Sequence, residues 1–295
     1  MRVVFIGSVI FSSKMLTVII KNKLDIVGII TKKKSTYNSD HFDLTKTIKK
    51  KKIPVLYAKN INEKKNIQWL KSKKPDLIFC IGWSQILSKN ILNIAKKGVI
   101  GFHPSNLPEN KGRHPLIWTM ALGLKKSYST FFLMNSKVDD GPIISKKFFL
   151  VKRNYYVQDL YDKTINIAEK QIQDICISLK KNKNLSTKKQ IGKTNLWRKR
   201  SFKDGLIDWR MSAITINNLI RALSTPYPNA FFYYKKKKYS VTKSIIIKNN
   251  KSNIEPGKLI SKNSSGFIIK CGIDSIKILE SKPKIIFRNK NIYLD

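Results

Sequence analysis

The amino-acid sequence predicts an α/β fold, and two patterns carry this prediction. In residues 1–195, short continuous apolar runs alternate with segments of helical periodicity. Such runs are typical of parallel strands that are buried on both faces of a sheet. In residues 205–295, short strand candidates are separated by Asn-Asn, Pro-Gly and Ser-Gly pairs. We therefore predict a Rossmann-like, mostly parallel sheet with helices on both faces, followed by a small C-terminal β-rich (OB-like) domain.

Each predicted element has its own local signal. Apolar or alternating runs predict strands at 2–8, 25–31, 53–58, 75–83, 98–102, 129–135, 230–234, 239–247, 266–272 and 275–280. Apolar residues at helical spacing or capping residues predict helices at 12–23, 62–74, 88–97, 156–179 and 213–223, the first of them capped by Ser12 or Ser13. Periodicity is lost over 180–200, so the predicted domains are 1–195 and 205–295, joined by a linker at 196–204.

The composition indicates a chain that folds around a core. Of 295 residues, 42% are hydrophobic, and no apolar run is long enough to span a bilayer. The start "MRVVFIGSVIFSSK" lacks the long apolar stretch of a secretory signal. The cysteines Cys80, Cys176 and Cys271 lie far apart, which is no disulfide framework. We expect a cytoplasmic protein with no membrane insertion.

The charge is strongly positive. Lys and Arg number 59 against 18 Asp and Glu, for a net charge of +41. The lysines are spread over the whole length, which favours a compositional bias on solvated faces over a dedicated nucleic-acid surface. The tetralysine runs at 49–52 and 235–238 are predicted to be a helix end and a hairpin turn. Attraction to a phosphate-bearing substrate is expected in either case.

Three polar segments follow predicted strands and are expected to meet in one crevice. They are Gly82-Trp83, His103 and the loop 134–141. In open sheets, ligands bind beyond the carboxyl ends of the strands. Asp139 near His103 would fix the imidazole tautomer and stabilise an imidazolium, as acyl transfer requires. The residues alone leave open a second interpretation, in which His103 is structural and Asp139-Asp140-Gly141 is only a turn.

Other catalytic signals are absent from the sequence. "GSVIFSS" follows the first strand, but it is not the Gly-rich fingerprint of a dinucleotide site. There is no nucleophile elbow or P-loop, and three scattered histidines predict no metal site. Cys80 lies inside an apolar strand, where it is predicted to be inert packing.

The loop after the His103 strand is recognisable as a family motif. "FHPSNLPENKG" (102–112), followed by "DDG" (139–141), resembles the folate-dependent formyltransferases, whose pattern is Asn-x-His-Pro-Ser-x-x-Pro-x-x-x-Gly and then Asp-x-Gly. Residues 205–234 and the segments "PGKLI" (256–260) and "GFIIKCGIDSIKILE" (266–280) look like the smaller C-terminal domain of methionyl-tRNA formyltransferase and its sugar-modifying relatives. The resemblance therefore covers nearly the whole chain.

Two segments, "GRHPLIW" (112–118) and "LIRALSTPYPNAFFYY" (219–234), look closer to the enzyme that formylates UDP-4-amino-4-deoxy-arabinose. The resemblance implies transfer of a formyl group from 10-formyltetrahydrofolate to a nucleotide-linked amino sugar, with His103 and Asp139 catalytic. The implied folate-binding residues are Gly82, Trp83, Gln85, Ile86, Leu87, Met134, Val138 and Asp139. The implied substrate-binding residues are Ser8, Arg113, Asp208, Arg221 and Tyr227.

One position departs from the family pattern. The Asn that the family carries two residues before the histidine is Gly101 here, which has no side chain to donate to an oxyanion. Loss of such a donor typically lowers turnover about 100- to 1000-fold. The alternatives to an amino-sugar enzyme are a methionyl-tRNA formyltransferase, with tRNA as its partner, and a folate- or nucleotide-sugar-binding protein with impaired catalysis. Pairing of sugar-modifying relatives through their C-terminal domains makes a homodimer one expected arrangement.

Overall fold

A computed structural model describes residues 1–35, 38–48, 51–181, 184–287 and 291–294 of the chain. By their contacts the residues form two units, the first comprising 1–115, 127–149 and 162–197 and the second comprising 116–126, 150–161 and 198–295. The second unit thus includes two segments, 116–126 and 150–161, that the predicted boundaries assigned to the catalytic core.

The helices and strands follow one another in a fixed order along the chain. They are β1 (Arg2–Ile6), α1 (Ile10–Lys21), β2 (Asp25–Thr31), β3 (Val55–Tyr57), α2 (Lys64–Ser72), β4 (Leu77–Cys80), α3 (Lys89–Leu92), β5 (Val99–His103), β6 (Lys111–Gly112), α4 (Pro115–Ala121), β7 (Lys126–Leu133), β8 (Ile143–Leu150), α5 (Val157–Lys180), β9 (Leu196–Trp197), α6 (Ala213–Ala222), β10 (Ala230–Tyr234), β11 (Lys237–Ile247), β12 (Leu259–Asn263), β13 (Gly266–Lys270) and β14 (Ser275–Lys282). Short 3-10 turns lie at Leu44–Thr47 and Phe202–Gly205.

The first unit is built on a seven-stranded sheet of order β3-β2-β1-β4-β5-β7-β8. The pairs β2–β3, β1–β2, β1–β4 and β4–β5 are parallel. Strands β1 and β4 are buried along almost their whole length, as their continuous apolar sequences predict. The strand order runs outward from β1 to β2 and β3 on one side, and from β4 to β5 on the other. In open sheets, ligand-binding crevices form where the strand order reverses in this way.

Two predicted helices differ in detail. Helix α1 begins at Ile10, and Ser12 lies inside it: the Ser12 hydroxyl donates to the carbonyl of Ile81 (2.6 Å) and accepts from the backbone N–H of Val9 (3.3 Å). The helix predicted at 88–97 is a single turn, α3. After that turn the backbone N–H groups of Ile94 and Gly98 bond to residues three positions earlier, which is turn geometry.

The sheet is not parallel throughout. Strand β7 runs antiparallel to β5, with Ile100 opposite Leu133 and His103 opposite Thr130. Strand β8, which no sequence pattern predicted, lies at the edge next to β7. Its central residues are exposed, so the sequence there lacks the continuous apolar run of a buried strand.

The second unit contains a five-stranded antiparallel sheet of order β10-β11-β14-β13-β12. Its β10–β11 hairpin turns at Lys235 and Lys236, both at positive φ, which confirms the turn predicted for the second tetralysine run. In the first run, Lys49 and Lys50 lie outside the described residues. The mostly parallel sheet and the antiparallel C-terminal domain confirm the predicted fold class. Among the described residues, no helix is both long and apolar enough to cross a bilayer.

Candidate active site

Strand β5 carries the candidate catalytic histidine at its last position. Side chains alternate along a strand, so Gly101 and His103 face the same side of the sheet. The His103 side chain is buried, with 6% of the residue exposed. Its Nε2 lies 2.9 Å from the backbone carbonyl of Asn110, and its Nδ1 lies 3.6 Å from Oδ2 of Asp139. The residues that the sequence pattern paired therefore do meet in the fold.

The contacts of His103 assign its tautomer. A carbonyl oxygen only accepts hydrogen bonds, so the nitrogen that faces Asn110 must carry the hydrogen. In the neutral ring Nδ1 is then the bare nitrogen, and it faces the carboxylate of Asp139. The Asn110 carbonyl is the partner at hydrogen-bond distance, and Asp139 faces the other nitrogen. A proton taken up at Nδ1 gives an imidazolium with one acceptor at each nitrogen.

Asp139 reaches His103 by a route that differs from the expected one. Because β7 is antiparallel, it ends beside the beginning of β5, where the N–H of Met134 donates to the carbonyl of Val99 (2.8 Å). The loop then turns back toward the end of β5. Asp139 sits there with a φ of 49°, and its Oδ2 accepts from the backbone N–H of Gly112 (2.9 Å). Asp139 therefore reaches His103 because the loop after β7 reverses direction. The carboxyl ends of β5 and β7 do not lie at the same edge of the sheet.

The carboxylate of Asp140, next to Asp139, forms an ion pair with a lysine. Nζ of the buried Lys111 lies 2.5 Å from Oδ1 of Asp140. The hydrogen bond from Lys111 holds the pKa of Asp140 below its usual value, against the opposing effect of burial. Asp140 therefore acts as a fixed negative partner of Lys111. Asp139 is the carboxylate that is left to face the imidazole.

The predicted folate segment lies after β4 and exposes a mixed surface. Gly82 has a φ of 69°, which an L side chain adopts with strain. Trp83 is half-buried, its Nε1 finds no hydrogen-bond partner among the described residues, and Nζ of Lys32 lies 4.8 Å from the centre of its ring. Ile86 is 69% exposed and, in the loop after β7, Val138 is 45% exposed.

Other side chains predicted to bind folate are engaged within the fold. The Gln85 amide donates to the carbonyl of Lys59 (2.7 Å) and accepts from the N–H of Ile61 (3.1 Å). Leu87 is buried in the apolar core between the sheet and its helices, and the partly buried Met134 packs against the same core.

The predicted substrate residues fall in both units. In the first, Ser8 is fully buried, and no described residue hydrogen-bonds to its hydroxyl. Arg113 is exposed, and its Nη1 donates to the carbonyl of Ser84 (2.9 Å), within the predicted folate segment.

In the second unit, Asp208 pairs with Arg210 at the surface (2.7 Å), and Tyr227 is half-buried after a cis Thr225-Pro226 bond. The Arg221 guanidinium is buried, and it donates to the carbonyls of Arg153 and Tyr155 and to the side chain of Asn218. These contacts give Arg221 a structural role in the second unit.

Three residues of the first unit that were not predicted contact His103, the loop that follows it or the loop that carries Asp139. They are Asn110, Gln190 and Asn195. Gln190 and Asn195 lie in the stretch that lost helical periodicity and was assigned to the end of the core and its linker. Polar residues in an aperiodic stretch give no local signal of what they contact, so only the tertiary structure reveals them.

Comparisons with known proteins identify the family of the chain. Residues 1–175 match the family described as formyl transferase, and residues 200–287 match the formyl transferase C-terminal domain. The bifunctional polymyxin resistance protein ArnA of Wigglesworthia glossinidia brevipalpis is 37% identical over 233 residues, which is 79% of this chain and 35% of that protein. The chain thus spans about a third of the length of that relative.

A methionyl-tRNA formyltransferase of Caldanaerobacter subterraneus subsp. tengcongensis is 27% identical over 95% of this chain and 91% of its own length. The crystal structure of WlaRD, a sugar 3N-formyl transferase in the presence of dTDP and 5-N-formyl-THF, aligns with a TM-score of 0.70 at 19% identity, over 97% of this chain and 99% of that one. Because the two family regions together account for most of its length, the chain belongs to the formyl transferase family.

Proposed function

We propose that the protein transfers a formyl group from 10-formyltetrahydrofolate to the amino group of a nucleotide-linked amino sugar. One observation carries the chemical part of this proposal: Nδ1 of the buried His103 faces the carboxylate of Asp139, while Nε2 is held by the Asn110 carbonyl. This is the arrangement expected of a group that accepts a proton from an attacking amine and holds it.

The proposed step is balanced as an acyl transfer. The amine nitrogen attacks the formyl carbon, a C–N bond forms, and the bond from that carbon to N10 of the folate breaks. The proton lost by the amine passes to the His103–Asp139 pair and from this pair to the departing N10. Asp139 and the Asn110 carbonyl stabilise the imidazolium while the proton resides there.

The cosubstrate is proposed to lie against the 82–87 segment and the 134–139 loop. The exposed Ile86 and Val138 offer apolar contact, and the indole N–H of Trp83 is a buried donor still lacking an acceptor among the described residues. A planar ring system with polar edges fits such a lining. Ser8 and Arg113 are the proposed contacts of the acceptor in the first unit.

Two of the matching proteins support the sugar acceptor, while methionyl-tRNA formyltransferases match as well. The sequence over 79% of the chain is 37% identical to ArnA, and WlaRD is described as a sugar 3N-formyl transferase with dTDP present. A nucleoside diphosphate would also be attracted by the net charge of +41.

A tRNA acceptor is the second candidate, because a lysine of the second unit lies over an exposed aromatic ring. Phe202, 59% exposed, stacks on Phe231 at 4.5 Å, and Nζ of Lys238 lies 4.5 and 4.3 Å from the two ring centres. Aromatic rings interleaved with lysines are typical of single-stranded nucleic-acid surfaces. A binding protein that holds folate without turnover is the third.

An acceptor assay read by mass spectrometry separates these candidates. The protein is incubated with 10-formyltetrahydrofolate and either a panel of nucleotide-linked amino sugars or initiator methionyl-tRNA. We expect one sugar nucleotide to gain the mass of a formyl group, and His103→Ala and Asp139→Asn to slow that gain about 100- to 10,000-fold. Asp174→Asn, an exposed carboxylate on α5, is the matched control.

Each other result has a definite meaning. Formylation of the tRNA alone, with steep salt dependence, would replace the sugar proposal by the second candidate. Folate binding with no formyl transfer to any acceptor would support the third. Full activity of His103→Ala would overturn the catalytic assignment itself.

A further inference from the structure

The segment Lys188–Trp197, here called the strap, follows α5 and crosses the loops that hold His103 and Asp139. We infer that the strap sets the geometry of this pair, with Gln190 and Asn195 as positioning residues that act through Asp139 and Asn110. The inference rests on the proposed function, since it assumes that His103 and Asp139 carry the proton transfer.

Gln190 holds the backbone of the Asp139 loop. Its Nε2 donates to the carbonyl of Asp139 (2.9 Å) and to the carbonyl of Gly141 (2.7 Å). Both acceptors are carbonyl oxygens, so the amide must present its NH₂ group to them. Its Oε1 is buried and has no hydrogen-bond partner in the described part of the chain. Among the described residues, the Gln190 side chain therefore forms hydrogen bonds only as a donor to this loop.

The conformation of Asp139 makes such an anchor necessary. Asp139 has a φ of 49°, in the left-handed region that residues other than glycine rarely adopt. A residue in that region persists when its surroundings impose the conformation. Two hydrogen bonds supply these constraints. Gln190 donates to the backbone carbonyl of Asp139, and the Gly112 N–H donates to its carboxylate.

Asn195 holds the other partner of the pair. Its Oδ1 accepts from the backbone N–H of Asn110 (2.8 Å), and the carbonyl of Asn110 in turn accepts from Nε2 of His103. Asn110 also lies at positive φ, 61°. Asn195 thus holds the residue whose carbonyl faces Nε2 of His103.

Backbone pairing joins the two anchors. In the strap, β9 pairs in parallel with β6, which places Leu196 beside Lys111 and Trp197 beside Gly112. At its other end, Lys188 and Ile143 exchange two backbone hydrogen bonds of 2.7 and 2.8 Å. One continuous segment of the first unit therefore contacts the supports of both catalytic groups.

The consequence for catalysis is a loss of alignment. The separation of 3.6 Å between Nδ1 and Oδ2 is already at the outer limit of a direct contact. A misplacement of about 1 Å caused away from the reacting atoms lowers rates up to about 100-fold. Loss of the strap contacts is expected to lower kcat without changing the KM of the acceptor, since neither side chain is assigned to acceptor binding. The KM of the folate is not the readout, because Gln190 anchors a loop that is proposed to contact the folate.

The two amides have opposite hydrogen-bonding roles, which makes the inference testable. Gln190→Glu replaces the donor by a carboxylate that only accepts, so we expect kcat to fall about 10- to 100-fold with little change in the KM of the acceptor. Asn195→Asp keeps the acceptor and is expected to retain activity within about threefold, whereas Asn195→Leu removes the acceptor and is expected to match Gln190→Glu. Lys193→Gln, exposed in the same segment, is the control.

A double variant tests the route of the effect. If Gln190 acts through Asp139, Gln190→Glu has little further effect in an Asp139→Asn background, because residues that act as a unit are not additive. Thermal melting is recorded for every variant so that rates are compared only among folded proteins. Equal losses for Asn195→Asp and Asn195→Leu, or a full additive loss in the double variant, would overturn the inference.

The outcome is separable from failure of the proposed function. A protein in which His103→Ala is inactive but Gln190→Glu and Asn195→Leu have parental kcat refutes the positioning role alone. A protein in which His103→Ala is fully active refutes the catalytic pair itself.

Discussion

The side chain of Met134 fills the space beside Gly101 on β5. A Cβ at Gly101 would lie 2.8 Å from Cγ of Met134 and 3.1 Å from Cζ of Phe132. The position that carries Asn in the resembled family is therefore closed by apolar atoms in this protein. No amide donor fits there beside His103 unless Met134 is displaced.

This packing predicts that restoring the family residue is harmful. Gly101→Asn is expected to destabilise the protein by about 1–3 kcal/mol, because an extra side chain overpacks a filled site. Gly101→Asn combined with Met134→Ala is expected to recover at least half of that loss. Urea unfolding of the three proteins checks this. A single variant as stable as the parent would contradict the filled site.

The Lys111–Asp140 pair predicts a pH-dependent contribution to stability. Lys111 lowers the pKa of Asp140 in the folded state from its ordinary value of 3.8. A depressed carboxyl pKa stabilises the fold above the unfolded value, and this stabilisation is lost as the pH falls through the folded pKa. Lys111→Met is therefore expected to destabilise the protein near neutral pH.

That cost is expected to shrink as the pH falls below about 4. Urea unfolding of parent and variant at neutral and acidic pH measures it. Lys137→Met, which removes a more weakly interacting lysine, is expected to show a smaller pH dependence. A cost for Lys111→Met that is independent of pH would mean that Lys111 acts by packing and not by charge.

Arg221 is expected to matter for stability. Its planar, forked guanidinium donates to three acceptors of the second unit at 2.6–2.9 Å. Loss of the guanidinium leaves these acceptors without that donor. Arg221→Met is expected to cost about 2–4 kcal/mol, and Arg221→Lys to restore only part of it because an ammonium cannot reproduce the fork. Chemical denaturation measures the cost, and the surface variant Arg210→Met is the control. Wild-type stability with a raised KM would return Arg221 to the substrate.

The three thiols are expected to be unreactive in the folded protein. Burial raises the pKa of Cys80, Cys176 and Cys271 to about 12. The thiolate is the reactive form, so at about pH 8 only a minute fraction of each thiol is reactive. Alkylation followed by mass spectrometry is expected to label all three only in urea. Rapid labelling of a single cysteine without denaturant would reveal local opening at that site.

Much of the fold was predictable because its signals are local. Apolar runs predict strands β1, β2 and β5. Apolar residues that repeat at helical spacing from Leu160 to Leu179 predict α5. The segment that became β8 gave no such signal, because its exposed lysines interrupt the apolar run. The antiparallel direction of β7 was equally hidden, since an apolar run has the same pattern in either direction.

The sequence by itself determined which residues are the chemical candidates. "FHPSNLPENKG" and "DDG" identify His103 and Asp139, and the composition excludes a metal-ligand cluster of recognisable spacing. Only the tertiary structure decided how the candidates are used: the tautomer of His103, the separate roles of Asp139 and Asp140, and the structural position of Arg221.

The physical reason is the distance along the chain over which these contacts act. Gln190 bonds to the carbonyl of Asp139 across 51 positions, and the Asn110 N–H bonds to Asn195 across 85. Such bonds join a side chain to a backbone group, and every residue type offers the same backbone carbonyl and, proline apart, the same N–H. Periodicity and motif spacing report local backbone preference and burial, whereas the partner of a polar side chain is settled only when distant segments pack together.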